Sequence, residues 1–152
     1  MKDKNPLRGM ATVSFFADDL KAATKWYTEL LGVEPYFQRP DEQNPAYIEF
    51  RIGDHQAELG IIDRKYQPKG ASAQTGGAIL FWHVDDVERT LARLKELGAK
   101  ELEKLTKREA GFVTASVVDP FGNIIGIMYN PHYLEMSSAP DAGVASRANA
   151  IG

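Results

Sequence analysis

Residues 15–34 read FFADDLKAATKWYTELLGVE, a short apolar run followed by a segment with helical spacing. The apolar side chains of that segment fall on one face of a helix: Leu20, Ala23, Tyr27, Leu30 and Leu31. Asp18 or Asp19 can cap the helix N-terminus, and Gly32 stands where helices commonly end in glycine. The stretch therefore predicts a strand, a short turn and an amphipathic helix.

The same order returns in residues 81–101, which read FWHVDDVERTLARLKELGAKE. An Asp-Asp pair again follows an apolar run, and a glycine again follows the apolar helix face. Asp85 comes 67 residues after Asp18, and Gly98 comes 66 residues after Gly32. Any two amphipathic helices that follow strands share some of this order, but the repeated Asp-Asp pair and the near-constant offset favour an internal repeat.

Three strand-like runs follow each helix. After the first helix they cover residues 34–40, 46–54 and 55–63, and after the second they cover residues 100–106, 111–120 and 122–130. The run 100–106 is ambiguous, because its leucines at 102 and 105 have helical spacing. Each half of the chain therefore reads strand–helix–strand–strand–strand.

The predicted fold class is α+β, with two βαβββ modules in one chain and curved mixed sheets around a concave cavity. A helix covers one face of each sheet, so the other face must pack on something or line a cavity. The expected division is an N-terminal extension (1–9), a first module (10–62), a polar linker (63–77), a second module (78–133) and a flexible C-terminal tail (134–152).

The composition excludes several classes of protein. A net charge of −3 offers no basic surface for nucleic acid or an anionic membrane. The absence of cysteine excludes disulfides, a thiolate nucleophile and cysteine-bound metals. No apolar run approaches the length of a membrane span, and residues 1–10 lack the apolar core of a signal peptide. These features predict a cytoplasmic protein without nucleic-acid or membrane partners.

Both repeated stretches, together with residues 117–128 (VVDPFGNIIGIM), resemble the vicinal-oxygen-chelate superfamily. That superfamily includes glyoxalase I, extradiol dioxygenases, fosfomycin-modifying enzymes and bleomycin-resistance proteins. The resemblance spans about residues 10–133 and is closest in character to the metal-free bleomycin-resistance branch. It implies the two-module fold but not one function, because members include metal lyases, oxygenases, transferases and non-catalytic drug binders.

Enzymes of this superfamily hold one divalent metal with four inward-facing side chains, typically His, Gln or Glu. Carried over to this chain, the four positions are Thr12, Glu58, Ile79 and Gly126. One carboxylate does not hold a catalytic metal, so the resemblance implies no cofactor, with a divalent metal as the alternative. A register error of two residues does not restore the set, because it brings in Ser14, Phe81 or Met128. The missing side chain at Gly126 implies space for an organic ligand.

Strand alternation predicts which side chains line the cavity. Nine residues are predicted: Ser14, Phe16, Tyr47, Glu49, Arg51, Glu58, Phe81, His83 and Met128. A short turn at residues 53–54 would set Glu49 opposite Glu58. Facing carboxylates repel each other. Three partners can relieve them: Arg51 on the diagonal, a proton held at a raised pKa, or a cationic ligand.

His83 has two interpretations. It can be a general base or a ligand-orienting donor at the rim of the pocket, or a histidine that is hydrogen-bonded near a helix start. His55 and His132 are expected on the surface. Trp26 and Tyr27 are expected to pack within the protein rather than to stack on a ligand.

Two functions from different classes remain open. The first is metal-independent binding of a small organic molecule, such as a cationic antibiotic or metabolite, in a groove lined by aromatics, Met128 and carboxylates. For this function the resemblance implies a homodimer in which the second chain completes each groove. The alternative is an enzyme, either a metal-dependent lyase or dioxygenase that combines Glu58 with His83 or a residue of the partner chain, or a metal-free isomerase with Glu58 as the base.

Overall fold

Two modules of one helix and four strands follow each other along the chain. The computed structural model describes residues 6–41 and 43–138. The first module contains β1 (Thr12–Ala17), α1 (Leu20–Leu31), β2 (Phe37–Arg39), β3 (Tyr47–Ile52) and β4 (Ala57–Asp63). The second module contains β5 (Leu80–His83), α2 (Val87–Glu96), β6 (Lys100–Lys107), β7 (Val113–Val118) and β8 (Ile124–Tyr129). A final helix, α3 (Pro131–Ser138), follows β8.

The strands form two four-stranded sheets with the same topology. Sheet A has the order β1-β4-β3-β2, and sheet B has the order β5-β8-β7-β6. In each sheet the first strand of the module runs parallel to the last, and the other neighbours are antiparallel. The predicted α+β fold with two βαβββ modules is therefore confirmed.

The ambiguous run at residues 100–106 is a strand. It forms β6, which pairs with β7 with register shifts between Glu101 and Glu103 and between Glu103 and Thr106. Such irregularities break the two-residue alternation of a regular strand. The apolar residues of β6 consequently have a spacing that resembles that of a helix.

The second aspartate of each Asp-Asp pair caps a helix. Asp19 accepts a hydrogen bond from the Ala22 N–H at 3.0 Å, and Asp86 accepts one from the Arg89 N–H at 2.9 Å. Each cap satisfies a backbone donor that has no partner within its own helix. At the end of α1, Gly32 has a left-handed φ of 69°, a conformation that favours glycine.

Both helices pack on the inner faces of the sheets, and the two modules share one core. Its largest fully buried apolar side chains come from both halves: Tyr27, Ile48, Phe50, Leu59, Ile61, Leu94, Val117 and Ile125. Trp26 lies beside this core, and its Nε1–H donates to the Leu97 carbonyl oxygen at 2.7 Å. Trp26 and Tyr27 are therefore packing residues, as the sequence predicts.

A buried polar contact also joins the modules. The Tyr27 hydroxyl donates to the Asp119 carboxylate, and burial together with the negative charge of Asp119 raises the pKa of Tyr27 well above its ordinary value. The same carboxylate accepts hydrogen bonds from the N–H groups of Phe121 (2.9 Å) and Asn123 (2.8 Å). The Asn123 side chain in turn makes two hydrogen bonds to the backbone of Phe16. The turn before β8 thus connects the second module to the first.

The pairing of β3 with β4 differs from the prediction. The loop between these strands covers residues 53–56 and is longer than a two-residue turn. Arg51 therefore lies directly opposite Glu58, and Glu49 lies opposite Gly60. The prediction that Glu49 faces Glu58 is wrong, because the assumed turn shifted the pairing by two residues. A shift of two leaves every side chain on its predicted face.

The described helices are short. The longest, α1, has 12 residues, and none of the helices in the described ranges is long and apolar enough to cross a membrane. Helix α3 runs through Ser138, so the predicted start of a flexible tail at residue 134 falls inside a helix. The rest of that predicted tail, residues 139–152, lies outside the described residues.

Candidate functional site

Each sheet has an outer face, the side turned away from its helix. Alternation and pairing register place six predicted site residues on the outer face of sheet A: Ser14, Phe16, Tyr47, Glu49, Arg51 and Glu58. The other three lie on the outer face of sheet B: Phe81, His83 and Met128. The nine residues therefore divide between two sheet faces.

Charged side chains meet on the outer face of sheet A. Arg51 lies between two carboxylates, with its Nε 4.0 Å from Glu49 Oε1 and its Nη2 4.0 Å from Glu58 Oε1. Its guanidinium also lies 3.8 Å from the centroid of the Tyr36 ring, which is a cation–π geometry. Arg51, rather than a bound proton or a cationic ligand, is therefore the group that lies between these two carboxylates in the structure.

Two hydroxyl groups hold the carboxylates in place. The Tyr47 hydroxyl donates to Glu49 Oε2 at 2.8 Å, and the Thr12 hydroxyl donates to Glu58 Oε2 at 2.7 Å. Burial and the hydrogen bond to Glu49 raise the pKa of Tyr47 to about 12, so Tyr47 remains a donor at neutral pH. We call this set of five residues the acidic network: Thr12, Tyr47, Glu49, Arg51 and Glu58.

The glycine of β8 does not open a pocket. A β-carbon at Gly126 would lie 2.7 Å from Phe81 Cδ1 and 2.8 Å from the Leu80 carbonyl oxygen. Phe81 is the β5 partner of Gly126, so the phenyl ring fills the space beside the glycine. The expectation of room for an organic ligand at this position is wrong. Sheet A repeats the arrangement, because a β-carbon at Gly60 would lie 2.7 Å from Tyr47 Cε2.

The residues present do not fit the metal site of the superfamily enzymes. Ser14 and Phe81 occupy equivalent positions, because each lies the same number of residues before the Asp-Asp pair of its own module. Ser14 pairs with Gly60, and Phe81 pairs with Gly126. Gly126 therefore corresponds to Gly60 rather than to Glu58, and this position is a glycine in both modules. Within residues 6–41 and 43–138, no three His, Asp or Glu side chains are grouped so that they could hold a metal ion.

One serine on the outer face of sheet B is a site candidate that the sequence does not reveal. Ser116 is the β7 partner of Gly126 and is fully buried. Its hydroxyl oxygen has no hydrogen-bond partner in the described part of the chain. A single serine within an apolar strand carries no sequence signal, so only the pairing with Gly126 identifies it.

His83 is fixed by contacts on both ring nitrogens. Its Nδ1 accepts a hydrogen bond from the Asn130 backbone N–H at 3.0 Å. The neutral ring therefore carries its proton on Nε2, which lies 3.3 Å from Asp85 Oδ1. The ring also stacks on Tyr133, with centroids 4.8 Å apart and planes at 9°. This geometry favours a histidine hydrogen-bonded near a helix start, because the nitrogen that could accept a proton already accepts a hydrogen bond.

Two cavities border the outer faces. One, of ≈ 340 Å³, is lined by Ser14, Phe16, Ile79 and part of the linker. The other, of ≈ 380 Å³, is lined by Phe81 and His83 together with the loop 53–56 and α3. No residue of the acidic network is among the described residues that line either cavity. His55 and His132 are exposed, as expected, although His55 borders the second cavity.

Comparison with known families gives one match over most of the chain. The family model described as "Glyoxalase/Bleomycin resistance protein/Dioxygenase superfamily" matches residues 9–127. The matched range begins just before β1 and ends within β8, so it covers both modules. No curated protein matches the chain in sequence at a significant level.

Solved structures share the fold at low sequence identity. A protein from Agrobacterium tumefaciens, solved by NMR in solution, is 26% identical, with a TM-score of 0.65 over 78% of this chain and 93% of that chain. A glyoxalase-related enzyme from Fulvimarina pelagi is 23% identical, with a TM-score of 0.66 over 82% and 90% of the two chains. A bleomycin resistance determinant encoded on the transposon Tn5 is 19% identical, with a TM-score of 0.57 over 81% and 98%. The last two likenesses show the fold alone.

Proposed function

The chain belongs to the glyoxalase/bleomycin resistance protein/dioxygenase superfamily, and we propose on that premise that it binds a small organic molecule without a metal. The proposed site is the outer face of sheet A around the acidic network. One observation carries the proposal: Arg51 lies between Glu49 and Glu58 on a sheet face where all three side chains are only partly buried.

The acidic network is organised before a ligand arrives. The hydroxyl groups of Thr12 and Tyr47 hold one oxygen of each carboxylate, and the Tyr36 ring supports the guanidinium of Arg51. Polar groups that are already ordered lose little conformational entropy when a ligand binds. Such a face can therefore orient a polar molecule at a low entropic cost.

Aromatic residues flank the charged groups. Tyr36 is 62% exposed and Phe37 is 36% exposed, and the Phe37 ring centroid lies 6.4 Å from that of Tyr47. Exposed apolar rings beside a few fixed polar groups are typical of ligand grooves. The flat part of an organic ligand has a surface on which to pack here.

The charges of the acidic network favour a cationic group on the ligand. Two carboxylates share one guanidinium, so Glu49, Arg51 and Glu58 together carry one net negative charge. Arg39 lies on the same face but is positioned over the Phe37 ring, 5.0 Å from its centroid. The proposed ligand is therefore a cationic antibiotic or metabolite with an apolar portion.

A second copy of the chain would complete the groove. The outer face of sheet A is exposed at Tyr36, Phe37 and Arg51, and the superfamily resemblance favours a homodimer. Sedimentation velocity at several protein concentrations measures the assembly. A dimer is expected, and a monomer at all concentrations would contradict this part of the proposal.

Metal independence is tested by elemental analysis of protein purified without chelator and without an affinity metal. Of the four positions carried over from the superfamily enzymes, Thr12, Ile79 and Gly126 offer no charged donor and Glu58 is a single carboxylate, so no stoichiometric Mn, Fe, Ni or Zn is expected. One metal equivalent per chain that is lost in the Glu58→Gln variant would overturn the proposal.

Ligand binding is tested by a thermal-shift screen against cationic glycopeptides and aromatic antibiotics. Ligands that raise the melting temperature of the wild type should do so less in Glu58→Gln and Glu49→Gln, because each substitution removes one carboxylate from the acidic network. The matched control is Glu29→Gln, which removes a carboxylate that is paired with Arg93 away from this face. Equal stabilisation of all four proteins would show that the site assignment is wrong.

A further inference from the structure

The ≈ 380 Å³ cavity lies between the two modules, and the function proposed above does not use it. We call it the intermodule cavity and define it by six of its lining residues: Asp54, His55, Phe81, His83, Asp85 and Tyr133. Its walls come from the loop 53–56 of the first module, the end of β5 in the second module, and α3. Its volume lies within the range of roughly 300–1,000 Å³ that is usual for small-molecule pockets.

The charged groups at this cavity have one sign. Asp54 and Asp85 both line it, and none of the described lining residues is lysine or arginine. His83 accepts a backbone hydrogen bond on Nδ1, so this nitrogen carries no proton and the ring adds no positive charge to the cavity. A concave site lined by carboxylates without basic residues concentrates cations.

Aromatic rings supply the rest of the recognition surface. Phe81 is 36% exposed, and Tyr133, whose ring stacks on His83, also lines the cavity. The His83 side chain is only 7% exposed, so the stacked rings of His83 and Tyr133 close this side of the cavity. A cation near the face of an aromatic ring is attracted by the ring quadrupole.

The loop that carries Asp54 is held in a defined conformation. The Tyr133 hydroxyl donates to Asp54 Oδ2 at 2.8 Å, which joins α3 to this loop. Gln56 has a left-handed φ of 53°, and its side-chain nitrogen donates to the Gly53 carbonyl oxygen at 3.2 Å. A non-glycine residue in that conformation persists where the surrounding contacts require it. The cavity is therefore preformed on this side.

We propose that the intermodule cavity binds a small organic cation. The ammonium group would lie between Asp54 and Asp85, and a flat apolar group would pack against Phe81 and Tyr133. This site is separate from the acidic network, so it does not depend on the function proposed for the outer face of sheet A.

Phenethylammonium is a suitable probe, with 2-phenylethanol as the neutral analogue and phenylacetate as the anionic one. The full chain, labelled with nitrogen-15, is titrated by NMR. The backbone amides of Phe81 and Asp85, which both line the cavity, should shift saturably with a dissociation constant of about 1 mM. The indole N–H of Trp26, bonded to Leu97, is the internal control and should not move. The alcohol should bind about tenfold more weakly, and the anion weaker still.

The charge assignment is tested by combining Asp54→Asn with Asp85→Asn. Both substitutions keep the side-chain size, and asparagine at 54 can still accept the Tyr133 hydrogen bond. Each lost charge should weaken phenethylammonium binding about threefold, or about tenfold together. Glu29→Gln, which removes a carboxylate that is paired with Arg93, should leave this binding unchanged.

Three results would overturn the inference. The first is equal affinity for phenethylammonium and 2-phenylethanol. The second is unchanged affinity in the double aspartate variant. The third is the absence of a saturable shift at the backbone amides of Phe81 and Asp85. Binding that is lost in Glu58→Gln but kept in the aspartate variant would assign the cation to sheet A instead, so the two proposals fail by different results.

Discussion

The ring of Phe81 lies over Gly126, so close that a β-carbon at residue 126 would sit 2.7 Å from Phe81 Cδ1. The Leu80 carbonyl oxygen would also be 2.8 Å away, and a backbone atom cannot yield as a side chain can. Gly126→Ala is therefore expected to lower the free energy of unfolding by about 2 kcal/mol. Urea unfolding followed by circular dichroism measures the change.

Gly9→Ala is the matched control, because a β-carbon there would meet nothing within 4 Å. It should change the stability by less than about 0.5 kcal/mol. Phe81→Ala in the Gly126→Ala background should recover only part of the loss, since the Leu80 carbonyl remains. A Gly126→Ala protein as stable as the Gly9→Ala protein would contradict the packing role.

The contact between Tyr27 and Asp119 should matter more for stability than any surface ion pair. Asp119→Ala leaves buried donors without their acceptor and should cost about 3 kcal/mol. Tyr27→Phe removes one hydrogen bond from a carboxylate that keeps the Phe121 and Asn123 donors, and should cost about 1 kcal/mol. Urea unfolding of the two variants gives both values.

Asp18→Asn is the control for this comparison. It removes a carboxylate that is 83% exposed and paired with Arg64, and exposed pairs contribute about 0.5 kcal/mol. If Asp119→Ala proved no more costly than Asp18→Asn, the Tyr27–Asp119 contact would not be a significant connection between the modules.

Stability should fall at alkaline pH through Tyr47. Its pKa is raised from 10.0 to about 12 in the folded chain, so the folded state keeps a proton that the unfolded state has lost between these values. The stabilisation is complete below pH 10 and is lost as the pH rises towards 12. The free energy of unfolding should decline over this window less steeply in Tyr47→Phe than in the wild type.

The absorbance of tyrosinate gives a direct measurement. The difference between the wild-type and Tyr47→Phe titration curves is the titration of residue 47, and its midpoint should lie near 12. In Glu49→Gln the midpoint should fall, because the acceptor that favours the protonated hydroxyl loses its charge. A midpoint at 10 in the wild type would show that the hydrogen bond to Glu49 is absent in solution.

His83 should be an Nε2–H tautomer in its neutral form. The Asn130 N–H occupies Nδ1, and a ring nitrogen that accepts a hydrogen bond cannot carry the proton. Nitrogen-15 NMR of the imidazole distinguishes the two tautomers, and the exposed His55 and His132 serve as references. A neutral His83 with its proton on Nδ1 would contradict the geometry.

Most of the fold could be predicted from the sequence because its signals are local. The Asp-Asp pairs, the apolar helix faces and the closing glycines determine where α1 and α2 begin and end. Strand alternation depends only on a two-residue period, so it predicts that Glu49 and Arg51 share one face of the sheet, and they do. These assignments need no knowledge of which strands are neighbours.

The candidate site was harder to predict because it depends on pairing between distant segments. A two-residue turn after β3 would pair Glu49 with Glu58, but the loop covers residues 53–56 and pairs Glu49 with Gly60. Phe81 fills the space beside Gly126 from another strand, and Tyr133 stacks on His83 from a helix that the sequence did not indicate. Tyr36, which supports Arg51, likewise carries no local signal.

Metal-free ligand binding at the acidic network is the central claim, and an NMR titration of chelator-treated, nitrogen-15-labelled protein with metal-free bleomycin tests it most directly. Bleomycin is chosen as the probe because the description of the family to which the chain belongs includes a bleomycin resistance protein. Saturable shifts are expected at the backbone amides of Tyr47, Arg51 and Glu58, with affinity reduced about fivefold in Glu58→Gln. Two results would contradict the claim. One is that the shifts appear only after a divalent metal is added, and the other is that the resonances of these three amides do not move.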